Sequence, residues 1–258
     1  MAMTVEKIVF SPTGGTQRVA DVLAASLSGS DENIIEHDLS DPFLDESGIK
    51  VNGSSIALVA MPCFGGRVPA VAMERLGRIK ANNAKCVVVI VYGNRAYDDA
   101  LLELKEGATE AGFDVIAAVS AIAEHSIMHQ FATGEPKAEE TAKLSGFARQ
   151  ILSKLHGEVP SDSFAVPGNS PYKKAAATPL VPKVSKRCTS CGTCAEKCPV
   201  TAINTVDFAA DKNICIACMR CIEICPHEAR SVNKVMVKVA AMAIKGECTK
   251  KKEPELFL

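Results

Sequence analysis

The chain has 258 residues, 47% of them hydrophobic and 23% charged, and a formal net charge of −1. This is the composition of an ordinary globular protein, long enough for one large domain or two small ones. The longest apolar runs, 86–92 and 235–244, fall far short of the roughly 20 residues a bilayer-spanning helix needs, and Lys238 interrupts the second. The first residues also lack the charged-then-apolar layout of a signal peptide, so a cytoplasmic protein without a membrane span is expected.

In chain order, strands are predicted at 5–10, 33–39, 55–61, 86–91 and 113–119, several of them near-continuous apolar runs. Between and after them, helices are predicted at 15–27, 69–80, 98–111 and 136–155. Asp98 and Asp99 suit the positive end of a helix, and Gly112 suits a helix C-terminus. Strands this apolar are expected where helices cover both faces of a parallel sheet. Five of them alternating with helices indicate a doubly wound α/β domain over residues 1–155.

The first strand runs into Ser11-Pro12-Thr13-Gly14-Gly15-Thr16 at the start of the first helix. No two glycines stand in G-x-G spacing, and no glycine-lysine pair is followed by Ser or Thr. Dinucleotide and Walker-type loops are therefore poor readings. A hydroxyl-rich loop at a helix N-terminus suits a terminal phosphate monoester. Backbone N–H groups and the helix dipole attract the dianion, and Ser11, Thr13 and Thr16 can add donors. His125 and His129 stand at i, i+4 after the fifth strand. Two histidines are too few for a metal site, so a structural or surface role is expected, with His125 near a ligand as the weaker alternative.

Residues 156–187 hold five prolines, Pro160, Pro167, Pro171, Pro179 and Pro182, and read as a stiff linker or as a segment wrapped across one domain. Beyond it stands Cys188-x-x-Cys191-x-x-Cys194-x-x-x-Cys198-Pro199, repeated as Cys215-x-x-Cys218-x-x-Cys221-x-x-x-Cys225-Pro226. This is the bacterial ferredoxin run, in which three close thiolates hold one [4Fe–4S] cube and the fourth ligates the other. One cluster is expected on Cys188, Cys191, Cys194 and Cys225, the other on Cys215, Cys218, Cys221 and Cys198. Structural zinc is the competing reading, but zinc sites take two C-x-x-C pairs each, which these runs match poorly. Residues 188–230 therefore read as a small α+β two-cluster ferredoxin-like domain, and 231–258 as a helix near 233–245 with an apolar end at Leu256, Phe257 and Leu258. Cys86 reads as a core residue and Cys63 as an unreactive loop thiol, with a reactive one as the weaker alternative, while Cys248 has no evident partner.

The two parts differ in charge. Residues 1–155 carry 14 Lys/Arg against 20 Asp/Glu, and residues 156–258 carry 15 against 10. Two clusters would add about −4 to the basic part, so its excess offsets them and no nucleic-acid partner is expected.

The loop S-P-T-G-G-T resembles the phosphate loop of the flavodoxin family, S-x-T-G-x-T. With PCFGGRVP, YGNRAYDDALLELKE, the double cysteine runs and EPELFL, the chain resembles flavodoxin domains fused to bicluster ferredoxins, a family found mainly in anaerobes. That resemblance implies a flavodoxin-like five-stranded sheet of order 2-1-3-4-5 binding FMN at its switch point. It implies that Ser11, Thr13, Gly14, Gly15 and Thr16 hold the phosphate. Phe64, Gly65, Gly66 and Arg67, and Tyr92, Gly93, Asn94, Arg95 and Tyr97, would flank the ring, with Phe64, Tyr92 or Tyr97 stacking on it in a chain that has no Trp. Arg67 and Arg95 read equally as flavin contacts or as surface arginines.

Three functions follow. The first is an electron carrier that works with a redox partner protein. The second is an FMN-dependent reductase of a quinone, nitro compound or metal complex, with Arg67, Tyr92, Arg95 and His125 on the substrate side. The third is an interaction protein with structural metal. No nucleophile or acid–base dyad is apparent, and the carrier is favoured.

Overall fold

A computed structural model of the chain describes residues 3–29, 31–157, 164–175 and 179–258. The N-terminal part runs β1 (Val5–Val9), α1 (Gly15–Ser28), β2 (Ile34–Asp38), β3 (Ile56–Pro62), α2 (Ala70–Leu76), β4 (Lys85–Tyr92), α3 (Ala100–Glu110), β5 (Asp114–Ile122) and α4 (Ala138–Leu155). The C-terminal part runs β6 (Lys183–Val184), α5 (Thr193–Glu196), α6 (Arg220–Glu223), β7 (Arg230–Ser231), α7 (Lys234–Cys248) and β8 (Glu255–Phe257).

The strands β2-β1-β3-β4-β5 are parallel and follow the flavodoxin-like order. Period-two alternation divides the sheet's side chains between two cores. Ala57, Val59, Met61, Val88 and Ile90 face Leu76, Leu101 and Leu104 of α2 and α3. Ile56, Leu58, Ala60, Val87 and Val89 face Val19, Leu23, Leu144 and Ile151 of α1 and α4. Both faces are covered, which is why β1 and β3 are buried along their whole length. Cys86 is fully buried in the first core, as its place on a strand predicts.

A sixth strand extends the expected five. β8 pairs antiparallel with β5, Ser120 opposite Glu255 and Ala118 opposite Phe257. The apolar end thus docks on an edge that would otherwise present unpaired backbone groups. The Glu255 carboxylate accepts from Ser120 Oγ at 2.9 Å and from Tyr97 OH at 2.8 Å.

Within 156–187, residues 164–173 wrap over α3. Phe164 and Val166 pack on the first core, Asp99 accepts from the backbone N–H of Asn169 and Lys173, and the Arg67 guanidinium lies 4.6 Å above the Tyr172 ring. Pro160 lies outside the described residues.

In the cysteine-rich part, β6 and β7 form a two-stranded antiparallel pair. Its small core is Cys194, Cys198, Ala202, Ile203 and Phe208. A core this thin, two of its five members being cysteines, needs bound metal to hold it. The helix predicted near 233–245 is α7, capped by Asn233, whose side chain accepts from Val235 N and Met236 N.

Both parts meet along several seams. The buried Arg75 of α2 donates from Nη2 to Pro199 O at 2.8 Å and from Nη1 to Leu39 O at 2.5 Å and Asp41 O at 3.0 Å. Ala241 and Cys248 of α7 pack on Met128 and Phe131, and Leu180 packs with Ala217 and Met219.

Candidate functional site

The loop between β1 and α1 is built to receive an anion. Gly14, at φ 81, caps α1 with no side chain, and the first turn carries no acidic residue. The left-handed conformation there favours glycine. Ser11 Oγ accepts from Gln17 N at 2.9 Å, and Ser11 N donates to Ser40 Oγ at 2.6 Å, so the loop is tied to the first turn of α1 and to the chain just after β2. Ser11, Thr13, Gly15 and Thr16 line one end of a cavity of about 330 Å³. That volume falls in the range of small-molecule sites, about 300–1,000 Å³.

The rest of the cavity is mostly apolar. Phe64, Tyr92 and Pro62 come from the ends of β3 and β4, and Ile127 and Met128 from the loop after β5. Ile216, Ala217 and Met236 come from the cysteine-rich part and α7. Arg95 and Glu124 are the only charged side chains among the described residues lining it. Glu124 accepts from Gly134 N at 2.7 Å and meets His129 Nδ1 at 2.7 Å, contacts that hold its carboxyl below the usual range. Arg95 pairs with Asp98. A flat apolar ring bearing a terminal phosphate fits this arrangement of walls and donors.

His125 also lines the cavity. Burial, then the charge of nearby His129, brings it down to about 4, so it is neutral near pH 7. Its Nδ1 accepts from Ile127 N at 3.2 Å and Met128 N at 3.3 Å, which places the ring proton on Nε2. Gly93 makes room for the ring, because a Cβ there would stand 2.7 Å from the His125 side chain.

The cysteines form two further cavities. One is lined by Cys188, Cys191, Cys194 and Cys225, with Gly192, Pro226 and Arg230. The other is lined by Cys198, Cys215, Cys218 and Cys221, with Pro199 and Ile216. Each gathers three thiols of one run and the fourth of the other, a donor set suited to iron–sulfur cubes. The runs are near-copies in geometry. Ser190 and Ala217, at φ 59 and 52, follow the first cysteine of each, and Gly192 and Met219, at φ 81 and 66, precede α5 and α6. Cys198 Sγ accepts from Ala202 N at 3.3 Å and Cys225 Sγ from Ala229 N at 3.2 Å, the same contact in both copies. Burial pushes the free thiols of Cys218 and Cys221 up to about 12 and about 11, whereas Cys191 is exposed.

Residues 181–226 match the family model of the 4Fe–4S dicluster domain. Over 52 residues the chain is 33% identical to Ferredoxin-2 of Chlorobaculum tepidum, an overlap covering 17% of this chain and 84% of that protein. The chain belongs to the dicluster ferredoxins, fused to a flavodoxin-like domain. The flavodoxin of Streptococcus pneumonia TIGR4 is similar to the N-terminal domain of the fusion at 20% identity and a TM-score of 0.42, over 58% of this chain and 99% of that one. The two-electron reduced Megasphaera elsdenii flavodoxin is similar at 19% identity and a TM-score of 0.40, over 57% and 99%. The flavodoxin-like character of that domain rests on its own sheet order.

Of the flavin-site residues expected in the fusion, Ser11, Thr13, Gly15, Thr16, Phe64, Gly65, Tyr92, Gly93 and Arg95 line the cavity. Gly14, Gly66, Arg67, Asn94 and Tyr97 do not. Gly14 caps α1, and a Cβ on Gly66 would meet Asp98. Arg67 is clamped at 2.7 Å by both oxygens of Glu103. Asn94 holds the end of α7, donating to Cys248 O at 2.9 Å and accepting from Lys252 N at 2.9 Å. Tyr97 stacks edge-on against Tyr92 at 5.2 Å and donates to Glu255. The Cys63 thiol is pushed by burial up to about 12, in keeping with an unreactive role. His125 and His129 turn to different partners and form no joint ligand pair.

The cavity wall from Ile216, Ala217, Met236, Ala240 and Ile244 was not legible in sequence, because those contacts join residues far apart in the chain. Among the described residues no helix is long and apolar enough to cross a membrane.

Proposed function

We propose that this fusion is an electron-transfer protein that passes electrons between two [4Fe–4S] clusters and FMN. The observation that carries this reading is the position of Ile216. It lines both the cavity beside the phosphate loop and the cavity of Cys198, Cys215, Cys218 and Cys221, and Ala217 next to it also faces the first. One residue's thickness therefore separates the two cavities that would hold the flavin and the nearer cluster. Ser11, Thr13, Gly15 and Thr16 would hold the phosphate, and Phe64, Tyr92 and His125 would enclose the ring and exclude water. When bound, the clusters would supply one-electron transfer and the flavin storage of one or two electrons. The cluster of Cys188, Cys191, Cys194 and Cys225 would exchange electrons with a partner protein, since Cys191 is exposed.

The test is an anaerobic reconstitution followed by iron, sulfide and flavin assays, then rapid reduction of the clusters in the full chain. About eight iron, eight sulfide and one FMN are expected, with flavin reduction at a rate independent of protein concentration. Extracted FAD, about four iron at saturation, or a rate that scales with concentration would count against the reading.

The second reading is an FMN-dependent reductase of a small acceptor such as a quinone, nitro compound or metal complex. A larger cavity of about 1160 Å³ favours it, because Phe64, Leu180, Ile216 and Met236 border both that cavity and the flavin cavity. Turnover of a soluble quinone without any partner protein would separate the two.

A further inference from the structure

The two cysteine runs agree beyond their ligands. Cys198-Pro199-Val200-Thr201-Ala202-Ile203 in the first corresponds to Cys225-Pro226-His227-Glu228-Ala229-Arg230 in the second. Both sixth residues are buried, Ile203 at 7% and Arg230 at 4% exposure. Ile203 packs in the small core, as an apolar side chain there should. Arg230 puts a permanent positive charge in the equivalent place.

That charge has little protein to meet it. Nη1 donates to Phe208 O at 2.9 Å and to Cys194 Sγ at 3.3 Å. Nε and Nη2 are buried without a hydrogen-bond partner. No carboxylate pairs with Arg230 among the described residues. A buried guanidinium left in this state is costly unless an anion lies beside it. The groups around it are cysteines of both proposed clusters. Cys194 belongs to one set and is a direct hydrogen-bond partner. Cys215 and Cys221 belong to the other, and they pack against the same small core that holds Cys194 and Phe208, the two partners of Arg230.

We infer that Arg230 is a cation shared by the two clusters, one that favours the reduced form of both. The inference rests on the two-cluster reading. Each cluster accepts one electron from the partner and becomes more negative by one charge, with no bond made or broken in the protein. A fixed positive charge beside the core shared by both cysteine sets would lower the free energy of the added electron on either cluster, and its unpaired N–H groups could donate to sulfur. Arg230 is thus a tuning residue: it acts on the potentials through charge and hydrogen bonds and ligates nothing.

The test is an EPR-monitored redox titration of the full holo-protein, after iron analysis, for the wild type, Arg230→Gln and Arg230→Lys. About eight iron in the wild type secures the two-cluster reading first; about four would overturn that reading and, with it, the sharing. In Arg230→Gln with iron unchanged, the reduction equilibrium of each cluster should fall at least about tenfold, about 59 mV for a one-electron couple. Arg230→Lys, which keeps the charge, should recover part of the fall. A glutamine variant in which either cluster stays at its wild-type potential would overturn the inference, as would a lysine variant displaced as far as the glutamine one. Should Arg230→Gln lose iron, the wild type labelled with 15N in its arginine guanidinium groups serves in its place. Nitrogen hyperfine coupling at both reduced clusters, lost in Arg230→Lys, supports the shared cation; coupling at one cluster alone overturns it.

Discussion

Replacing Arg75 by leucine removes a buried cation from the seam between the two domains. Arg75 is 9% exposed and donates to three backbone carbonyls: Leu39 O, Asp41 O and Pro199 O. Its Nε also lies 3.2 Å from Glu46, which is 7% exposed. Without Arg75, Glu46 keeps Arg78 at 3.6 Å, a side chain that is itself 53% exposed. Hydrogen bonds to charged groups contribute about 1.5–3 kcal/mol each and are not additive. Breaking a buried pair costs about 3–5 kcal/mol, because the partner stays behind. The expected loss for Arg75→Leu is therefore about 3–5 kcal/mol, or a fall of ~10 °C in melting temperature for a chain of this size. Glu46→Gln alone should cost about 1–2 kcal/mol, and the double variant less than the sum, by at least about 1.5 kcal/mol. Guanidinium unfolding followed by circular dichroism, with cluster absorbance recorded in parallel, measures all three variants. A loss below about 1 kcal/mol, or a coupling near zero, would refute the reasoning.

Three further outcomes are expected. Cys225→Ala should damage the cluster on Cys188, Cys191 and Cys194 and spare the other more, and Cys198→Ala should do the reverse. EPR of the reduced variants reads this, and loss of only the cluster on the variant's own run would sink the crossed assignment. His125 is held down to about 4 in the fold against 6.5 unfolded, so the unfolded chain takes up the proton first and stability is lost as pH falls from about 6.5 towards 4. Between pH 7 and pH 5 the wild type should lose about 2 kcal/mol that His125→Gln does not, measured by denaturant midpoints at each pH. Glu255→Ala leaves the Ser120 and Tyr97 hydroxyls without their acceptor and should cost about 1–3 kcal/mol in the same assay, while a neutral result would mean that β8 is held by its backbone pairing alone.

The legible features were those carried by local pattern. Apolar runs bounded by glycine or proline marked the central strands β3 and β4, because a strand buried on both faces has no polar alternation to obscure it. Cysteine spacing marked the ligand sets, because a cube dictates how far apart neighbouring thiolates stand. The unread features depend on long-range contacts. Nothing near Glu255 signals a strand except the three consecutive apolar residues that follow it, and its place beside β5 is fixed by an edge built more than a hundred residues earlier. Asn94 and Tyr97 stand in a flavin-side loop by sequence, yet the structure uses them to fasten α7 and β8. Arg230 is set apart from other arginines by its burial and its unpartnered nitrogens, neither of which local spacing encodes.

The position of β8 also bears on how the protein is made. The strand that closes the edge of the N-terminal sheet is translated only after the entire cysteine-rich domain. Until then β5 presents an open edge, the kind of surface on which nascent chains associate wrongly. Chain arrested or clipped between the domains would keep that edge open. The module that carries the cysteines is spliced between two pieces of one sheet, and a cell could not exchange it for another by a simple cut at residue 187 without also moving residues 255–257.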